Sequence, residues 1–118
     1  TKFVVMNCFF DATSGALGFV NISKFNTTTS FSANYTPVTN FMNGNAPGVM
    51  PRFFRVDDSV SGSLLRFSIS FDGQYWVQLF SVSRTDWMGS GPTVSCFGVW
   101  GLHASSPMQA NLLSWREH

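Results

Sequence analysis

Residues 66 to 80 read RFSISFDGQYWVQLF, two alternating runs on either side of Asp72-Gly73. β-branched and aromatic residues suit a pleated surface, and Asp-Gly supplies the positive φ angles of a tight turn, so the stretch predicts a β-hairpin. With a two-residue turn, Ile69 faces Trp76 and Leu65 faces Phe80 on the core side. Arg66, Ser68, Ser70 and Tyr75 then share a polar, aromatic-bearing opposite face. A longer turn shifts the register, and a slip of one residue exchanges the faces.

Working outward, the hairpin is expected over Leu64 to Val82, with Arg52 to Val56 as the strand before it and DDSVSGS as the intervening turn. Residues 2 to 10 are apolar on both faces, as befits a central strand. Gly15 to Phe25 is a second extended run. Residues 26 to 51 are rich in Thr, Ser, Asn, Gly and Pro, with short strands expected at Ser30 to Tyr35 and Val38 to Met42. Beyond the hairpin come the loop SRTDWMGSGP, a strand TVSCFGVWG, a loop LHASSPMQ and a last strand ANLLSWR. No segment keeps helical apolar spacing, so the expected fold is all-β, a two-sheet antiparallel sandwich.

The 118 residues suit one domain, 1–118, with 44% hydrophobic residues to fill a single core. A start at Thr1, directly before the strand-like KFVVMNCFF, leads us to expect a piece of a larger protein. Charged residues make up 11%, against roughly 25% in an ordinary domain, while aromatics reach 16%. Much of the surface must then be Ser, Thr, Asn and Gly. A net charge of +1 offers no footprint for a phosphate backbone, so nucleic acid is not expected as a partner. No apolar run approaches the roughly 20 residues of a membrane span. Cys8 and Cys96 both sit in apolar strand-like runs, where they can pair or serve as small buried hydrophobes. Asn21, Asn26 and Asn34 each open an Asn-x-Ser/Thr triplet, a frequency that composition alone nearly explains.

The residues needed for catalysis are scarce. Glu117 is the single glutamate, and Asp57, Asp58 and Asp72 fall in expected turns, a poor source of a general acid and base. His103 is the one internal histidine, and no Gly-x-Ser-x-Gly, Cys-x-x-Cys or phosphate-loop pattern occurs. The chain is therefore not expected to be an enzyme. A calcium ion held by Asp57, Asp58 and nearby carbonyls is compatible with the sequence, since calcium sites tolerate loose ligand spacing.

Aromatic rings and neutral hydrogen-bonding groups remain, and these complement a sugar, which has an apolar C–H face and a rim of hydroxyls. Trp76 and Trp115 are expected inside, beside Ile69 and Leu113. Trp87 lies in a polar loop between Arg84, Asp86 and Gly89, where an indole either meets ligand or anchors its own loop. Trp100 alternates against Phe97 and Val99, pointing away from the core if those two face it, and the next loop carries His103. The candidate ligand-binding set is thus Trp87, Trp100, Asp86, Arg84, His103 and Tyr75, with no metal ligands assigned.

From about Pro51 to Glu117 the order of features resembles the carbohydrate-binding modules of the concanavalin A-like lectin and glucanase fold. The shared pattern is Ser-x-Asp-Gly-x-x-Trp (Ser70, Asp72, Gly73, Trp76), then a strand with Phe97, Gly98 and Val99, then a closing aromatic, Trp115. The turn is also similar to that of discoidin jelly rolls and, with one residue inserted, to the sialidase aspartate box. The glucanases' Glu-x-Asp-x-x-Glu strand and the legume lectins' metal loop are missing, so neither hydrolysis nor those metals are carried over. The resemblance implies a jelly-roll sandwich that binds oligosaccharide or polysaccharide without a required cofactor. It also implies an extracellular or virion location, as in phage tails and bacterial adhesins, beside other domains or subunits. The alternative is a structural packing module with no sugar ligand.

Overall fold

In the computed structural model the described residues are 2–11, 16–43 and 51–93. They form six strands: β1 (Phe3–Asp11), β2 (Ala16–Thr27), β3 (Ser30–Asn43), β4 (Phe53–Ser59), β5 (Leu64–Ser70) and β6 (Val77–Ser83). Two antiparallel three-stranded sheets result, ordered β1-β2-β3 and β4-β5-β6, with no helix among the described residues. The all-β, two-sheet expectation therefore holds at this level. Cys96, Trp100, His103, Trp115 and the two expected C-terminal strands, apart from Thr93 at the start of the first, lie outside the described residues.

Period-2 alternation places the core. In β2, Val20 and Ile22 are buried on one face while Asn21 and Ser23 take the other; in β5, Leu65, Phe67 and Ile69 alternate with Arg66, Ser68 and Ser70. Ile22 and Tyr35 of the first sheet meet Leu65 and Phe67 of the second in one cluster, flanked by Val4, Met6, Phe80, Val82 and Met88. Tyr35 and Phe80 join the sheets at 5.0 Å between ring centroids. Burying a side chain such as Phe67 or Ile22 contributes about 1.5–3 kcal/mol.

The outward face of the first sheet carries two ladders. Phe3, Phe25 and Phe31 form an aromatic row, stacked at 5.0 Å and then edge-on at 5.6 Å. Beside it, Asn7 donates to Asn21 and Ser23, and the Ser23 hydroxyl donates to Asn34. Asn21 is buried within this network, which removes it from the exposed glycosylation triplets.

Several sequence expectations are corrected. β1 is an edge strand among the described residues, with β2 central. The two short strands expected over Ser30 to Met42 are one strand, in which Thr36, Pro37 and Val38 stand opposite Asn21 alone. A bulge is where a strand tolerates proline, because its missing N–H breaks no ladder bond there. β4 runs on to Ser59, so Asp57 and Asp58 belong to a strand and the turn is Val60 to Ser63, closed by Ser63 N–H donating to Val60 O at 3.2 Å.

The hairpin itself has a six-residue connection, Phe71 to Trp76, instead of a two-residue turn. Ile69 now faces Val77, and Trp76, one position away, goes to the outer face and is 37% exposed. A bulge between Phe67 and Ser68 then moves the register once more, so that Phe67 faces Phe80 and Leu65 faces Val82. Phe80 thereby stays inside while Trp76 does not.

This arrangement separates core from surface experimentally. Phe67→Ala should cost about 3–5 kcal/mol in denaturant unfolding, as a buried aromatic truncation does. Trp76→Ala should cost less than half as much.

Candidate functional site

The outer face of the second sheet is built from cross-strand rows. Arg55, Ser68 and Gln78 form one, and Asp57, Arg66 and Ser81 the next. Ser68 and Ser70 are buried although they face outward, and the Phe71–Trp76 connection folds onto Ser70 through hydrogen bonds to Asp72 and Gly73.

The Ser-x-Asp-Gly-x-x-Trp sequence explains that connection locally. Gln74 and Tyr75 N–H groups donate to Asp72 Oδ1 at 2.8 and 2.9 Å, and the Ser70 hydroxyl donates to the same oxygen at 3.0 Å. Gly73 N–H donates to Ser70 Oγ at 2.9 Å. Gly73 has φ of +81°, and a Cβ there would lie 3.3 Å from the Phe53 ring, so both conformation and space favour glycine. The N–H groups of Tyr75 and Gln74, with the Ser70 hydroxyl, hold the Asp72 carboxyl below the usual carboxylate range.

The turn presents two rings. Tyr75 is 79% exposed, and Trp76 carries the Arg55 guanidinium 5.7 Å from its ring centroid. Arg55 is in turn ion-paired to Asp57 Oδ1 at 2.8 Å. Beyond Arg55, at the sheet end where β4 turns into β5, an open depression of about 570 Å³ is lined by Arg55, Asp57, Asp58, Ser59, Val60, Ser61 and Arg66.

The sequence-derived candidates fall in two places. Tyr75 belongs to the aromatic turn. Arg84, Asp86 and Trp87 lie together in the connection after β6, at the far end of that strand, roughly 20 Å away at ~3.3 Å per residue. Trp100 and His103 fall outside the described residues, so their meeting with Trp87 is not described.

Contacts within the chain occupy the second group. The Trp87 indole N–H donates to the Phe25 carbonyl at 3.1 Å, and the Lys2 and Lys24 ammoniums stand 4.3 and 5.2 Å from its ring centroid. Tyr35 OH donates to Asp86 Oδ2 at 2.7 Å, and burial, followed by that bond and the carboxylate's charge, pushes the phenol above its ordinary range. Arg84 grips Asp58 through Nε and Nη2. Gly91, at φ +82°, lies against the Arg84 guanidinium, where a Cβ would approach to 3.3 Å. This is the geometry of a loop tied to both sheets.

The calcium reading of Asp57 and Asp58 does not fit. As neighbours in a strand they point to opposite faces, and each is held by its own arginine. Among the described residues no three His, Cys, Asp or Glu side chains gather to hold a metal ion.

Sequence reasoning missed Trp76, Arg55, Asp57 and Gln78 as surface groups. The available signal was the alternation of β4, which sets Arg55 and Asp57 on one face opposite the polar side of β5. Comparisons with protein-family models, with curated proteins and with solved structures found no match.

The Asp72 turn makes stability depend on pH. Its folded-state pKa lies below the unfolded value near 3.9, so its contribution is complete above that value and is lost as pH falls through the folded one. Wild type should lose more stability than Asp72→Ala as the pH drops below about 4 in pH-dependent thermal unfolding.

Proposed function

We propose that the chain is a non-catalytic glycan-binding module, a β-sandwich similar to the concanavalin A-like carbohydrate-binding modules. On this reading it serves cell-surface saccharide recognition in a phage tail or other extracellular adhesion protein. One observation carries the proposal: Tyr75 and Trp76 stand exposed on a turn braced by hydrogen bonds, beside Arg55, Asp57 and Gln78 on the outer face of the second sheet. A flat ring under a pyranose and charged or amide groups at its edge form the complement of a sugar. The surface is shallow, so each site binds weakly and repeated copies supply avidity.

A second reading has its own support. Phe54, Val56 and Val77, on the core-facing side of the second sheet, and Phe31 on the first remain exposed, apolar area that a neighbouring subunit could cover. In that case the module packs within a particle and binds no sugar.

A glycan array on the purified chain, with and without a chelator, comes first. For any glycan bound, Trp76→Ala and Tyr75→Ala should each weaken binding at least ~10-fold, about 1.4 kcal/mol. Full affinity in both, with loss in Trp87→Ala, would move the site to the loop after β6. An empty array together with self-association in light scattering would favour the packing module.

A further inference from the structure

We infer that the outer face of the second sheet takes a carboxylate-bearing saccharide of the uronic-acid kind, with Arg66 holding the carboxylate. This rests on the glycan-binding reading and adds the charge of the ligand to it.

Asp57 stands directly across the strands from Arg66, yet its Oδ1 accepts from Arg55 at 2.8 Å. Asp58, on the other face of β4, is held by Arg84. The two aspartates lining the depression are thus each neutralised by another arginine, and the Arg66 guanidinium is left with no hydrogen bond or ion pair from a described residue.

That guanidinium is placed for use. Arg66 sits mid-strand on β5, the central strand of its sheet, is partly buried, and lines the depression with Nη2 beside Gly62. Its planar fork matches a carboxylate in bidentate fashion, and a half-sheltered guanidinium without a partner among the described residues has hydrogen bonds to give that such a ligand would accept. Around the depression the Asp57–Arg55 and Asp58–Arg84 pairs contribute no net charge, so the positive group its lining offers a ligand is Arg66.

The aromatic turn lies along the same face. Arg55 bridges the two regions, stacked near Trp76 at one side and bound to Asp57 at the other, and the row of Asp57 and Arg66 follows the row of Arg55 by ~7 Å along the strands. A chain of more than one sugar can therefore set one ring against Trp76 or Tyr75 and carry a carboxylate to Arg66.

The test uses pairs of oligosaccharides with the same linkage within each pair: trigalacturonate, and short hyaluronan and alginate fragments, each beside its carboxyl-reduced counterpart, with sodium acetate as the simple anion. Titration of the whole chain should show at least one acid bound roughly ten- to a hundredfold more tightly than its reduced partner. Raising salt should erode that preference and leave the reduced partner's affinity unchanged. Arg66→Gln, checked for a native thermal transition, should abolish the gap without weakening the neutral ligand, and Arg66→Lys should restore only part of it. The wild-type comparison needs no variant to fold.

Equal binding of acid and reduced forms, or an unchanged preference in Arg66→Gln, overturns the inference while leaving the glycan reading intact. Acetate bound as tightly as the trisaccharides would also overturn it, as a plain anion site. If neither acid nor neutral saccharide binds, both readings fall together.

Discussion

The register between β5 and β6 is the constraint on which the rest of the structure depends. One carboxylate oxygen of Asp72 gathers two backbone N–H groups and a hydroxyl, and Ser70 takes a third N–H, so the Phe71–Trp76 connection closes on its own hydrogen bonds. That closure pairs Ile69 with Val77, sending Trp76 outward, and the bulge beyond Phe67 returns Phe80 to the core. Side-chain direction in a strand has period two, so each step of register is a choice between interior and surface for a large ring. Two steps in sequence let one hairpin supply an indole to solvent and a phenyl ring to the core.

The other end of β6 has the opposite task. Arg84, Asp86 and Trp87 reach β4, β3 and β2 respectively, and Met88 joins the core edge, so a short loop binds the two sheets through four side chains. Lys24 contributes from the first sheet, with its ammonium 4.5 Å from the Tyr35 ring and 5.2 Å from Trp87. Polar and cation–π contacts replace further apolar burial where the layers end and water begins. One end of the second sheet is clamped, and the other displays exposed rings.

The scarcity of charge gives each ionic contact a definite partner. Arg55 with Asp57 and Arg84 with Asp58 lie on opposite faces of one strand, since neighbouring aspartates must diverge. Exposed pairs of this kind add little to stability, typically about 0–1 kcal/mol. Their effect here is positional: Arg55 is held near Trp76, and Arg84 holds the loop that follows β6.

The sequence by itself determined the all-β class, the alternation of β5, the existence of the hairpin and its polar outer face with Arg66, Ser68 and Ser70. These follow from local patterning, because period-two hydrophobicity is a property of neighbouring residues. It also marked Trp87 as a loop tryptophan, though not the Phe25 carbonyl that receives its N–H, a group 62 positions distant. Only the tertiary structure decided the side of Trp76, the joining of the two strands around Pro37 into one, the edge position of β1 and the partners of Asp57 and Asp58. Register, bulges and strand order are settled by which backbone groups pair across the sheet. The pattern Asp-Gly serves a two-residue turn and a six-residue one alike, and Ser70 and Asp72 select the longer only when their side chains fold back onto the N–H groups that follow.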